Sequence, residues 1–239
     1  MSEKEKNIAV VLAAGQGKRM NSTVHKQYLL LKDKPVIYYP LKAFQDSSFI
    51  EEIILVTGKE EEAYCRTEIV EKFHFSKVKK IVEGGKERYH SVANAMKAAE
   101  GAGYVFIHDG ARPFLSEEIL LRAYDAVKEH HACVVGMPVK DTIKVADGNC
   151  FAKHTPDRET LWQVQTPQVF TIELAKEAYD KLLRKEEELK TQGIRITDDA
   201  MVVETLLHHP VKLVEGSYEN IKITTPEDLI IADSFLIRK

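Results

Sequence analysis

Several things are scarce in this sequence of 239 residues, and each scarcity excludes a class. With 12 glycines and 8 prolines, those two residues make up about 8% of the chain against a usual share of roughly 12%. Collagen-like and linker-like chains are therefore excluded. The three cysteines, Cys65, Cys133 and Cys150, are odd in number and widely spaced. They form neither a CxxC pair nor a disulfide framework, which predicts a reducing compartment. Charge of one sign is not in excess: 34 Lys+Arg stand against 37 Asp+Glu, a net charge of −3. No global basic field would gather nucleic acid, although local basic sites remain open. The longest strongly apolar run, residues 8–14, is far too short to span a bilayer. The opening MSEKEKN carries both charges and is unlike a secretory signal. The expectation is a soluble cytoplasmic protein with no nucleic-acid and no membrane partner. Internal repeats and low-complexity tracts are also missing.

What is present is a globular composition, 44% apolar and 30% charged. At about 150 residues per domain the length corresponds to roughly 1.6 domains, one large domain with a subdomain or two small ones. Short apolar runs at 7–14, 52–57, 78–82, 104–108 and 132–137 alternate with stretches of helical period at 35–44, 60–73, 88–99 and 116–130. That alternation predicts an α/β fold with a mostly parallel sheet and helices on both faces, ligands sitting beyond the carboxyl ends of the strands. Ser116 reads as a helix N-cap, with Glu117 and Glu118 in a first turn whose dipole favours acids.

The alternation breaks after Pro138. Residues 141–154 read as two short strands around Asp147-Gly148, a dipeptide that favours a tight hairpin turn. A lone hairpin is marginal in water, so it predicts a covering surface, most economically a second copy of the chain. Helical pattern returns at 171–189 and 198–208, followed by a strand-like 220–223 and a helix over 226–237. One domain over 1–239 with a hairpin arm at 138–164 fits this organisation.

Three predicted strand ends carry residues suited to phosphate chemistry. The first runs into Ala13-Ala14-Gly15-Gln16-Gly17-Lys18-Arg19-Met20, two glycines followed by two cations. Glycine lets a backbone approach phosphate closely, and Lys or Arg beside it compensates charge. A dinucleotide fingerprint would need a small residue at Met20, and a Walker loop would need Ser or Thr at Arg19. A tight turn with surface cations would also account for the loop. Gly84-Gly85-Lys86-Glu87-Arg88 again joins a strand-like run to a helix that includes Ser91 and Asn94, and two such loops could share one ligand. The third end reads His108-Asp109-Gly110-Ala111-Arg112-Pro113. An acid there can hold a metal, a ribose hydroxyl or a substrate hydroxyl, or form a salt-bridged loop. His208-His209 read as solvated residues ending a helix, Trp162 as a packing anchor, and Cys133 as inert core.

These blocks carry a resemblance. AAGQGKRM at 13–20, HKQY at 25–28, GGKERYHSV at 84–92, HDGARPF at 108–114, KDTIK at 140–144, LWQVQTPQVF at 161–170, ITDDA at 196–200 and NIKITTPEDL at 220–229 fall in order along the chain. Together they resemble the 2-C-methyl-D-erythritol 4-phosphate cytidylyltransferases of the non-mevalonate isoprenoid pathway.

The resemblance implies a Rossmann-like nucleotidyltransferase fold with a protruding β-hairpin arm, a homodimer formed through that arm, and the partners CTP and a sugar-alcohol phosphate. It implies Arg19 and Lys26 on the triphosphate, with Gly15, Gln16, Gly17 and Lys18 lending backbone amides. Lys222 would position the attacking phosphate, and Arg158 would do so from the partner subunit. Ala13, Ala14, Gly85 and Ser91 would read cytosine, with Arg88 also on the CTP side. Asp109 would hold hydroxyls of the sugar alcohol, helped by Arg112, Thr142, Thr166 and Thr197. The implied cofactor is Mg²⁺, held mainly through the CTP phosphates, with Asp109 a candidate ligand. Lys86 departs from the acid often found after the glycine pair, so only a backbone contact carries over there.

Three other readings stay open at this point. A ribitol 5-phosphate cytidylyltransferase would run the same chemistry on a longer alcohol. A non-catalytic nucleotide-binding module is disfavoured by the presence of Arg19, Lys26, Asp109, Arg158 and Lys222. A nicotinamide dehydrogenase is disfavoured by Met20.

Overall fold

The computed structural model describes residues 6–15 and 25–237. Eleven strands form among them: β1 (Lys6–Leu12), β2 (Leu30–Leu31), β3 (Lys34–Pro35), β4 (Glu52–Thr57), β5 (Val78–Glu83), β6 (Ala102–Asp109), β7 (Ala132–Pro138), β8 (Val145–Ala146), β9 (Ala152–His154), β10 (Trp162–Thr171) and β11 (Lys212–Glu215). Seven of them make one sheet in the order β11-β7-β10-β6-β1-β4-β5. Only β10 runs antiparallel to its neighbours, β6 and β7, so the sheet is mostly parallel as predicted.

Helices cover both faces. One face packs α1 (Tyr38–Asp46) and α4 (Glu117–His130) on Ala9, Val11, Ile53, Leu55 and Phe106. The other packs α3 (Arg88–Ala98), α5 (Ile172–Thr191) and α6 (Asp199–Leu207) on Ile8, Val10, Ile54, Val56 and Ile107. Successive residues of one strand thus enter opposite cores. That double burial is why β1 and β4 read as continuous apolar runs rather than alternating ones. The helix expected over 60–73 forms as a short turn, α2 (Glu62–Tyr64), that continues as a π-helix over Cys65–Glu71. The Ser116 cap of α4 is present, its hydroxyl accepting from Ile119 N at 3.4 Å.

Four details differ from the sequence reading. Residues 220–223 form no strand; Asn220 is buried, Ile223 N donates to Ala111 O at 2.9 Å, and the segment straps the ends of the sheet. It leads into α7 (Pro226–Ile237). Strands β10 and β11 had no clear periodic signature, because β10 is broken at Val164/Gln168 and β11 is four residues long. Residues 34–35 pair with 30–31 instead of starting a helix. The hairpin β8–β9 forms, but its turn is wider than Asp147-Gly148. Asp147 N donates to Phe151 O, the Asp147 carboxylate accepts from Asn149 N and Phe151 N, and the positive φ falls on Cys150. Every residue of β8 and β9 is exposed, and Phe151 beside them is 73% exposed.

Candidate active site

The carboxyl ends of β1, β4, β5 and β6 come together at one edge of the sheet. At the exit of β1, Ala13 N donates to Val56 O at 2.7 Å, and the Gln27 amide donates to Ala13 O. Gly84 N donates to Thr57 O at 2.8 Å. A Cβ built on Gly84 would lie 2.3 Å from the Ala14 Cβ and 3.0 Å from the Ser91 hydroxyl. No side chain fits between those loops, so the first two glycine-bearing strand ends touch, as a shared ligand site requires. Gly85 N donates to the Ser91 hydroxyl at 3.0 Å, and that hydroxyl donates to Glu87 O at 3.3 Å.

Gly15 ends this described stretch, while Gln16, Gly17, Lys18 and Arg19 lie outside the described residues. The chain returns at His25. Lys26 begins a 3-10 turn, Lys26–Tyr28, whose buried Gln27 is the residue tied to Ala13. Lys26 is thereby held beside the exit of β1. Glu61 anchors the same segment, pairing with His25 at 2.5 Å and accepting from the Tyr28 hydroxyl at 3.0 Å and Gly58 N at 2.8 Å.

Asp109 closes β6, the neighbour of β1, in register with Leu12. Its carboxylate accepts from Lys222 Nζ at 2.6 Å and from Arg88 Nε at 3.2 Å. Burial disfavours its charge, but Arg88, Lys222 and Arg112 outweigh that and hold it well below the usual carboxylate range. Arg112 is half tied: Nη1 donates to Asn220 O at 2.7 Å, while Nε is buried without a partner. A cavity of about 530 Å³ opens over Arg88, Asp109, Arg112, Thr166, Thr197 and Lys222, a volume suited to a small ligand.

Thr166 is set by a neighbour the sequence reading did not single out for chemistry. His108 is fully buried, with Nε2 3.1 Å from Arg112 O and Nδ1 3.0 Å from the Thr166 hydroxyl. A carbonyl only accepts, so Nε2 carries the proton and Nδ1 accepts from Thr166. Thr166 in turn accepts from Asp109 N at 3.1 Å. Its hydroxyl proton is committed, and toward the cavity it offers a lone pair.

Burial lowers the His108 pKa to about 4 from 6.5. Between those values the unfolded chain binds a proton that the folded chain does not, so stability falls as pH falls from 6.5 to about 4. The loss is about 3 kcal/mol over that window. Urea unfolding of the wild type at pH 7 and pH 4 is expected to show this loss relative to His108→Gln. Parallel stability curves for the two proteins would refute it.

Two other sequence candidates lie away from this cavity. Thr142 and Arg158 sit on the exposed arm, where Arg158 Nη1 donates to Lys140 O at 2.9 Å. Arg88, expected on the CTP side, bonds Asp109 through Nε and forks onto Asp199 with both bonds at 2.7 Å. Thr197 lines the cavity and reaches the Met201 sulfur at 3.6 Å. Asp199 itself went unassigned, although the adjacent acids Asp198-Asp199 were visible in ITDDA.

Asp109 does not fit a metal-ligand role in this arrangement, since both its oxygens face cations. Among the described residues, no group of three His, Cys, Asp or Glu side chains could hold a metal. Cys133 is buried and its thiol is pushed up to about 12, which fits an inert core residue.

Residues 7–238 match the family model of 2-C-methyl-D-erythritol 4-phosphate cytidylyltransferase. The chain belongs to this family. The Lachnospira eligens cytidylyltransferase of that name is 53% identical over 96% of this chain and 99% of its own. The Lachnoclostridium phytofermentans protein is 49% identical, over 97% of each chain. Among solved structures, the 4-diphosphocytidyl-2C-methyl-D-erythritol synthase of Anaerococcus prevotii superposes with a TM-score of 0.84 at 33% identity, covering 98% of this chain and 97% of its own. The Thermus thermophilus cytidylyltransferase superposes at 0.74 with 30% identity, over 96% and 98% of the two chains. Membership makes this chain a nucleotidyltransferase, and the family's fold is the mostly parallel sheet described above.

Proposed function

We propose that this protein transfers CMP from CTP to 2-C-methyl-D-erythritol 4-phosphate. An oxygen of the substrate phosphate attacks the α phosphorus in line, the bond to the bridging oxygen breaks, and pyrophosphate leaves with that electron pair. The observation that carries this reading is the adjacency of two half-sites: the Ala14–Gly84–Gly85 cleft at the exit of β1 and the Asp109–Lys222 cluster at the exit of β6. One suits a nucleotide, whose phosphates meet backbone amides and Lys26. The other suits a polyol phosphate, whose hydroxyls meet Asp109, Thr166 and Thr197 and whose phosphate meets Lys222.

Two phosphate-bearing anions repel strongly in a water-poor cleft, so cations must offset their charge before the reacting atoms can approach. Lys26 and Lys222 border the two half-sites in this reading, and Arg19, which lies outside the described residues, completes the set. Mg²⁺ belongs to the reading as a counterion that arrives on the triphosphate and neutralises phosphate charge. A cytoplasmic location belongs to it too. It is supported by three cysteines without disulfides and by the lack, among the described residues, of any helix long and apolar enough to cross a membrane.

Pyrophosphate release with each of the four NTPs tests the reaction. CTP with methylerythritol phosphate is expected to exceed UTP by about a hundredfold or more, because a mismatched exocyclic group leaves buried polar atoms unpaired. Faster turnover with ribitol 5-phosphate would transfer the assignment to that alcohol. Binding without pyrophosphate release would make the chain a nucleotide-binding module.

The arm at 138–164 completes the proposal as the contact to a second copy. Its exposed strands and Phe151 lack cover, while its root is fixed by Tyr218, which donates to Pro138 O at 2.8 Å and stacks under Lys140. Arg158 would then reach the partner's site. Mixing Arg158→Ala with Lys222→Ala protein, each nearly inactive, is expected to recover about a quarter of wild-type activity after subunit exchange, one intact site in each mixed dimer. No recovery from a mixture proven to exchange would place Arg158 in its own subunit's site.

A further inference from the structure

Asp199 is fully buried at the first residue of α6. Its carboxylate accepts from Arg88 Nη1 and Nη2, each at 2.7 Å, and from the Tyr179 hydroxyl. The helix start that carries it is locked in place. Asp198 caps the helix by accepting from Met201 N at 3.1 Å, and Gln168 accepts from Ala200 N at 2.7 Å. Arg88 therefore turns its Nη ends to a rigid acid and reaches Asp109 through Nε alone, a single bond of 3.2 Å.

Guanidinium geometry sets the consequence. The Nε/Nη2 edge can close on a carboxylate with two parallel bonds, the strongest arrangement open to this pair. That is the edge nearest Asp109, and although Nη2 keeps a second N–H, the clamp of Asp199 on the Nη1/Nη2 edge sets the guanidinium where only Nε comes within hydrogen-bond reach of Asp109. We propose that Asp199 is a positioning residue for the transfer: by clamping the Nη1/Nη2 edge it fixes the Arg88 guanidinium in a pose from which it cannot close on Asp109 as a two-bond fork, and so keeps the Asp109 carboxylate open to substrate hydroxyls and to Lys222. The inference rests on the cytidylyl-transfer reading above. Asp199 touches no substrate; it acts through Arg88 on the sugar-alcohol half-site and leaves the nucleotide half-site alone.

Asp199→Asn keeps the shape but turns an amide NH₂ toward one Nη of Arg88, which loosens the clamp and lets the guanidinium shift onto Asp109. The expected result is a rise of about tenfold in KM for methylerythritol phosphate with KM for CTP within twofold, a split that general damage to the fold does not produce. In an Arg88→Lys background, where no fork can form, adding Asp199→Asn is expected to change neither KM more than twofold. Should Asp199→Asn not accumulate as folded protein, Tyr179→Phe loosens the same carboxylate without touching the cavity, and a selective rise of about threefold is expected. Equal rises in both KM values, or no rise in any of these variants while wild-type protein transfers CMP, would overturn the positioning role. Wild-type protein that fails to transfer CMP would instead overturn the reading on which the role depends.

Discussion

Lys222→Ala is expected to lower kcat/KM for CMP transfer by about 10²–10³-fold, the usual cost of removing one preorganised donor from developing charge. Lys222 sits on the strap across the strand ends, with its side chain 36% exposed and Nζ 2.6 Å from Asp109. In the proposed reaction it is the cation that joins the polyol half-site to the phosphate that attacks. Exposure means that its loss leaves little buried charge behind, because Asp109 retains Arg88 and Arg112 as neighbours. The thermal midpoint should therefore stay close to that of the wild type while activity collapses. Steady-state pyrophosphate release beside a melting curve separates the two effects. A kcat/KM within threefold of wild type would remove Lys222 from the reaction.

The second large effect concerns stability. Asp199→Ala is expected to cost about 3–5 kcal/mol, the range found when one partner of a buried ion pair is deleted and the other stays behind uncompensated. Three donors lose their acceptor at once: two N–H groups of Arg88 and the Tyr179 hydroxyl. Tyr179 is 2% exposed, so water cannot readily replace the lost bond. Adding Arg88→Met to Asp199→Ala should recover much of the loss, since an apolar replacement leaves no stranded charge. Urea unfolding of the two single variants and the double variant gives the coupling directly. A single-variant loss below about 1 kcal/mol would show that the carboxylate is not what holds Arg88.

These two residues also mark how far the site was legible beforehand. Lys222 and Asp109 stood in blocks that carry the family resemblance, which implied a phosphate for one and hydroxyls for the other. Asp199 stood in a recognisable block too, yet its partner lies 111 positions away, and no local spacing connects them. The ion pairs of Arg88 were hidden for the same reason. Its position at the start of α3, just after Gly84-Gly85, suggested the nucleotide, whereas the side chain reaches across the end of β6 toward α6. The His108 imidazole, which decides what Thr166 can offer, stood in the same block as Asp109, but its partner Thr166 lies 58 positions further on.

The local elements were readable from the sequence alone: apolar runs long enough for strands, a capped helix at Ser116, glycine-bearing strand ends, and a hairpin arm. Those properties depend on neighbours within a few residues, so they can be read from spacing and residue type. Only the tertiary structure decided that β10 enters antiparallel between β6 and β7, that 220–223 is a strap, and that Asp199, Arg88, Asp109 and Lys222 form one chain of charges. Each of those outcomes pairs segments far apart in the chain. Burial and charge compensation select among such pairings only after the whole sheet has closed around them.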